Sequence, residues 1–178
     1  KLVLTAAPLV AAYEPRTGAE LWRVDDAIGG EIGSSAAFTA NILFCANQYS
    51  RLAAIDISSG RIVWQHEDDL PDAPSPVAEG NLLILPTSFG RTTCFDATNG
   101  KKLWQHKTRY GSYASPIVAD GKIYLLDQKG AMTILKMDAK LVVLGTAALG
   151  EECSATPAFA GGRIYIRGKQ SLFCVEER

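Results

Sequence analysis

The chain has 178 residues, 47% of them hydrophobic and 21% charged, with a formal net charge of −1. That length is ample for a sizeable core, and the near-neutral balance gives no electrostatic basis for holding nucleic acid or an anionic membrane. No apolar run reaches the roughly 20 residues of a membrane span.

The opening KLVLTAAPLVAA, Lys1 to Ala12, has the outline of a short secretory leader: a cation, an apolar run and small residues near its end. Ala12 and Tyr13, however, fall in the same slots as Ala54 and Ile55 further on. The stretch is therefore predicted as strands of a repeat. A chain that starts inside a repeat without Met implies a true N-terminus upstream, and with it any targeting segment.

Ala12 to Trp22, AYEPRTGAELW, reads as a strand, a tight turn and a second strand. The same sentence recurs as AIDISSGRIVW, Ala54 to Trp64, and as CFDATNGKKLW, Cys94 to Trp104. The turn formers Asp96, Thr98 and Asn99 can bond the local backbone. Gly18, Gly60 and Gly100 supply the positive φ that such turns need. Trp22, Trp64 and Trp104 lie 42 and 40 residues apart. A second landmark keeps step: Ser35-Ala36, Ser75-Pro76, Ser115-Pro116 and Thr156-Pro157. Two landmarks in one register, about 40 residues apart and built of short strands and Gly turns, are the signature of propeller blades. Two copies are worn. Ile134 to Leu144 carries Lys136 in the acidic slot, Lys140 in the Gly slot and Leu144 in the Trp slot, and the final copy reaches only Cys174-Val175-Glu176.

Each period decodes into four strands, A to D, from the propeller axis outward. Strand A follows the Ser-Pro landmark, as in SPVAE (75–79) and SPIVAD (115–120). Strand B is the most apolar: NILFCA (41–46), NLLILP (81–86), KIYLLD (122–127) and RIYIRG (163–168). Such unalternating runs imply cover on both faces, which stacked blades supply. Strand C ends in the acidic turn. Strand D carries the Trp and then turns polar, which protects a sheet edge. The fold expected is all-β: a β-propeller of four-stranded antiparallel blades, about four and a half of them, forming an open arc. It is one domain, with repeats at about 1–26, 32–68, 72–108, 112–146 and 152–178. The first repeat lacks strand A and the last lacks strand D, so self-association through open blade edges is expected.

The four cysteines do not suggest a disulfide framework. Cys94 and Cys174 are 80 residues apart, the same slot two blades on, too far for a bridge. Buried free thiols are expected for at least three of the four. His66 and His106 follow Trp on outer strands, which diverge, so a solvated rim is expected and no metal site. Asp25-Asp26 and Asp68-Asp69 share a slot after strand D and read as a solvated loop face. No nucleophile elbow, phosphate loop or dinucleotide fingerprint is present. The candidate partner or ligand residues lie just before strand A, where the chain dives from rim to axis: Glu31, Asp72, Tyr113 and Glu152. In a propeller these loops ring the mouth of the central channel.

The Asp/Glu-x-x-x-Gly-x-x-x-Trp spacing at Glu14–Trp22, Asp56–Trp64 and Asp96–Trp104 resembles the tryptophan-docking repeat of the quinoprotein-type (PQQ-like) β-propellers. It does not resemble WD40 repeats, because Arg23, Gln65 and Gln105 follow the tryptophans. The resemblance covers essentially the whole chain and implies that each Trp docks on the neighbouring blade. It points to the non-enzymatic, BamB-like branch: a bacterial, periplasmic or secreted scaffold that binds protein or peptide, without catalytic residues or cofactor. It also implies a full ring of seven or eight blades, of which this chain resembles the C-terminal half. The alternative is a fragment of a PQQ-dependent dehydrogenase, with PQQ and calcium. Against it, no two cysteines are adjacent, and the calcium-binding Glu-Asn-Asp set of those enzymes has no counterpart that can be placed.

Overall fold

The computed structural model describes residues 1–176; Glu177 and Arg178, the end of the last predicted repeat, lie outside the described residues. Eighteen strands follow in chain order: β1 Leu2–Ala6, β2 Leu9–Tyr13, β3 Glu20–Val24, β4 Ala37–Thr39, β5 Ile42–Ala46, β6 Leu52–Asp56, β7 Ile62–His66, β8 Val77–Glu79, β9 Leu82–Pro86, β10 Arg91–Asp96, β11 Lys102–Lys107, β12 Ile117–Ala119, β13 Lys122–Leu126, β14 Ala131–Lys136, β15 Val143–Ala148, β16 Ala158–Ala160, β17 Arg163–Arg167 and β18 Leu172–Glu176. They form five antiparallel sheets of 3, 4, 4, 4 and 3 strands, each in simple sequence order. The first sheet holds strands B, C and D of a blade, and the last holds A, B and C. The architecture is the expected partial propeller.

The middle strands show why the apolar runs do not alternate. In β5, β9 and β13 almost every side chain is buried, because each sheet is stacked between two others. Four core clusters fill the gaps between successive sheets. Val10, Trp22, Leu43 and Ile55 fill the first; Phe44, Leu52, Leu83 and Phe95 the second. Ile84, Trp104, Ile123 and Leu135 fill the third; Tyr124, Met132 and Ile166 the fourth. In the first sheet, β1 has one uncovered face and alternates, with Leu2 and Leu4 exposed.

Neighbouring blades are stitched at two radii. At the outside, the indole N–H of Trp22 donates to the Ile57 carbonyl of the next blade at 2.9 Å. Trp64 donates likewise to Ala97 at 3.0 Å and Trp104 to Asp138 at 2.9 Å. The rings lie over the next turn, where Gly60 meets Trp22 and Gly100 meets Trp64. That turn is held from within: Asp96 Oδ1 accepts from the Thr98 amide at 2.9 Å and the Thr98 hydroxyl at 2.6 Å. At the inside, the Ser-Pro landmark proves to be a ladder. The Ser35 amide donates to Ser75 Oγ and the Ser75 amide to Ser115 Oγ, both at 2.9 Å. The Ser115 amide donates to Thr156 Oγ1 at 3.0 Å.

Three sequence expectations are corrected. The worn blade places Gly145, not Leu144, in the Trp slot. Ala12, Ala54 and Cys94 pair with Trp22, Trp64 and Trp104, and Ile134 pairs with Gly145. The turn is one residue longer there, the Lys136 amide reaching Val142 where the Asp96 amide reaches Lys101. Leu144 instead falls at the β-bulge that Leu103 occupies in the preceding blade. Second, His66 is not on a solvated rim. Its ring packs 5.9 Å from Trp64 and 5.1 Å from Phe95, and Nε2 lies 2.5 Å from the Gly100 carbonyl. His106 is partly buried, and desolvation holds its pKa below the usual histidine value. Third, Asp69 is not a solvated loop residue. Its side chain is only 16% exposed and bonds Arg91, and it accepts from Gln105 Nε2 at 2.7 Å.

The cysteines are free, with Cys45, Cys94 and Cys153 buried and Cys174 exposed. Burial pushes the Cys45 thiol up to about 12. Cys94 is also pushed up to about 12, by burial and then by the charge of Asp96. Raised thiols of this kind are inert packing groups.

Candidate functional site

In an antiparallel blade the B–C turns and the D-to-A crossings emerge at the same end of the strands. Here they interlock. Asp72, on the crossing into the third blade, accepts from the Ser88 amide at 3.0 Å and bonds the Ser88 hydroxyl in the B–C turn. Burial works to raise the Asp72 pKa, but these hydrogen bonds outweigh it and hold the carboxyl below the usual range. Its charge is therefore spent on holding the face together.

The four predicted candidates separate. Tyr113 and Glu152 line one cleft of about 420 Å³ between the fourth and fifth blades. Glu152 is bridged by Lys129 at 2.5 Å and Lys169 at 3.5 Å, and the Lys129 hydrogen bond and charge, then Lys169, hold its carboxyl below the usual range. Arg167 and Ser154 complete this polar wall. Asp72 is turned inward, as above. Glu31 is exposed and lines neither this cleft nor the next one.

A second cleft of about 410 Å³ opens between the second and third blades, lined among others by Tyr49, Phe89, Leu70, Asp69 and Arg91. None of these was a sequence candidate. Tyr49 is 95% exposed and Phe89 59% exposed, each on a short B–C turn closed by backbone bonds, Asn47 to Arg51 and Thr87 to Arg91. Tyr49 sits at φ +64° and Asp69 at φ +54°, a conformation that bulky residues rarely adopt. A signal did exist: Tyr-Ser-Arg at 49–51 and Phe-Gly-Arg at 89–91 are 40 residues apart, an aromatic-x-Arg motif in blade register. It was hidden because the repeat was anchored on Trp and Ser-Pro.

Among the described residues no three His, Cys, Asp or Glu side chains converge to hold a metal ion. The side chains present therefore do not make the carboxylate set that a calcium–PQQ site would need.

A family model described as outer membrane protein assembly factor BamB matches residues 6–178. The chain belongs to the BamB family. The matched span takes in all five sheets, so the family assignment covers both clefts. Among solved structures, BamB from Moraxella catarrhalis superposes with a TM-score of 0.82 at 19% identity, over 98% of this chain and 54% of that one. Quinohemoprotein alcohol dehydrogenase from Comamonas testosteroni superposes at 0.74 and 12% identity, over 98% of this chain and 39% of that one. The computationally designed Ika4 protein superposes at 0.66 and 13% identity, over 83% of this chain and 98% of that one. At such identities the likeness is one of fold. The chain spans about half the length of the Moraxella BamB structure. No curated protein matches the sequence. No helix among the described residues is long and apolar enough to cross a membrane.

Proposed function

We propose that this chain is part of a non-catalytic propeller scaffold that binds a protein or peptide partner on the face formed by its B–C turns and D-to-A crossings. The observation that carries this reading is the pair of exposed aromatics, Tyr49 and Phe89, held on short closed turns above Leu70 and beside the Asp69–Arg91 pair. Rigid aromatics and arginine around an apolar floor are what protein interfaces bury at their centres. Tyr113 and the Glu152 ion-pair cluster extend the same face towards the fifth blade. By the printed name of its family the scaffold serves outer-membrane protein assembly, which places it in the bacterial periplasm or outside the cell.

Selecting a displayed peptide library against the purified chain tests this. Binders whose affinity falls at least tenfold in Tyr49→Ser and Phe89→Ser, with unfolding midpoints unchanged, support the scaffold. The dehydrogenase reading is tested by adding PQQ and calcium: stoichiometric binding with dye-linked alcohol oxidation would replace the scaffold with a cofactor enzyme.

A further inference from the structure

The largest groove of the molecule lies away from this face, near the propeller axis. It measures about 720 Å³ and runs between β1 and β4, lined by Val3 and Thr5 on one side and Ser35, Ala36 and Phe38 on the other. Phe38 is 69% exposed there. The β1 edge away from β2 has no partner strand among the described residues, so the groove joins an open backbone ladder to an apolar wall. In the next three blades the corresponding edge is covered by β4, β8 and β12.

The inner ladder states what would fill it. Each landmark amide donates to the hydroxyl of the following blade, from Ser35 to Ser75, Ser75 to Ser115 and Ser115 to Thr156. The hydroxyl of Ser35 is therefore the one ladder acceptor with no amide from a preceding blade, and Ser35 lines the groove. A second link runs beside it, with Thr39 Oγ1 donating to the Gly80 carbonyl at 2.7 Å. Ala40, which precedes its turn as Gly80 does, also lines the groove. The side chains that open the inner strands and face the following blade are Ala37 and Val77.

We propose that the β1–β4 groove is a strand-acceptor site for an extended segment of a second polypeptide with the pattern residue-Pro/Ala-small apolar-any-Thr. Its leading amide donates to Ser35 Oγ, its backbone pairs with β1, its small apolar side chain packs against Ala36 and Phe38, and its Thr donates to the Ala40 carbonyl. This is strand addition to an exposed edge, with main-chain bonds giving affinity and alternate side chains giving selectivity. A second copy of this chain is the poorer occupant, because its four segments of this pattern are already the inner strands β4, β8, β12 and β16. The inference rests on the scaffold reading but uses a different surface from the aromatic cleft.

A fluorescein-labelled peptide, Ser-Pro-Val-Ala-Thr-Gly, titrated into the full chain and followed by anisotropy and hydrogen exchange, is the test. Saturable binding that slows exchange across Leu2–Ala6 is expected. Ser35→Ala should weaken it about threefold to tenfold, the loss of one hydrogen bond, and N-methylation of the peptide Val should abolish it whatever that variant's stability. No binding, equal binding of the N-methylated peptide, or protection elsewhere would each overturn the groove assignment. So would a concentration-dependent dimer that protects β1 and excludes the peptide, since the occupant would then be a second copy. Library binders that still lose affinity in Tyr49→Ser while this peptide fails would refute the groove alone and leave the scaffold standing.

Discussion

Gly18 and Gly100 share a backbone conformation, φ +71° and +74°, and differ in what surrounds them. A Cβ on Gly18 meets nothing within 4 Å, whereas one on Gly100 would lie 2.7 Å from Cε3 of Trp64. Gly18→Ala should therefore cost only the left-handed strain, about 1–2 kcal/mol. Gly100→Ala should add overpacking against the indole, about 1–3 kcal/mol more. Urea unfolding of the two variants checks this, and equal losses would mean that the Trp contact is not what demands glycine. His106 gives a prediction in pH. Burial lowers its folded pKa, so below about 6.5, the ordinary histidine value, the unfolded chain takes up the proton more readily. The contribution is intact above that value and is lost as pH falls through it. His106→Gln should flatten the decline of the urea midpoint between about pH 6.5 and pH 5; an unchanged slope would assign the decline to other groups.

At the scale of the element, β11 and β15 are the same outer strand in successive blades and are held very differently. Trp104 ties β11 to the carbonyl of Asp138 in the next blade. β15 presents Gly145 in that slot, and nearly all of its side chains are exposed. Opening free energies follow such differences in burial and cross-bonding. Backbone amides of 143–148 should exchange faster than those of 102–107. Equal protection would show that pairing to strand C alone secures the outer strand. The bulge that every C–D pair carries at the same point belongs to this scale as well. It sets which residue reaches the Trp slot, and one added turn residue moved that slot from Leu144 to Gly145.

For the whole molecule, the decisive feature is that five stacked sheets leave two strand edges near the open ends. The β1 edge carries the groove described above. The β18 edge is apolar, with Leu172 70% exposed and Val175 also exposed. An unprotected apolar edge pairs with strangers, so the chain is expected to self-associate through β18 at high concentration. Light scattering on the wild type and on Leu172→Lys with Val175→Lys measures this: the charged variant should stay monomeric where the wild type does not. A wild type that remains monomeric throughout would show that this edge is protected in a way its exposure does not reveal.

The all-β class, the five repeats, the three-four-four-four-three strand count and the roles of Trp22, Trp64, Trp104 and the partner glycines were legible in the sequence, because each follows from local chemistry repeated at a fixed interval. A Gly turn, an unalternating apolar run and a Trp in register mean the same thing wherever they recur. What the sequence could not specify depends on where side chains from different blades meet. Asp72 and Glu152 occupy one repeat slot, yet one carboxylate turns inward onto Ser88 and the other joins two lysines. Tyr49 and Phe89 look like ordinary turn residues until the packing of adjacent blades brings them to one cleft. The Ser-Pro landmark is a period in the sequence and becomes a hydrogen-bond ladder only when stacking brings residues 40 or 41 apart within reach. Periodicity determines the strands. The angle and spacing of stacked sheets, set by side-chain volume in the four cores, decide which polar groups meet and so where the molecule can bind.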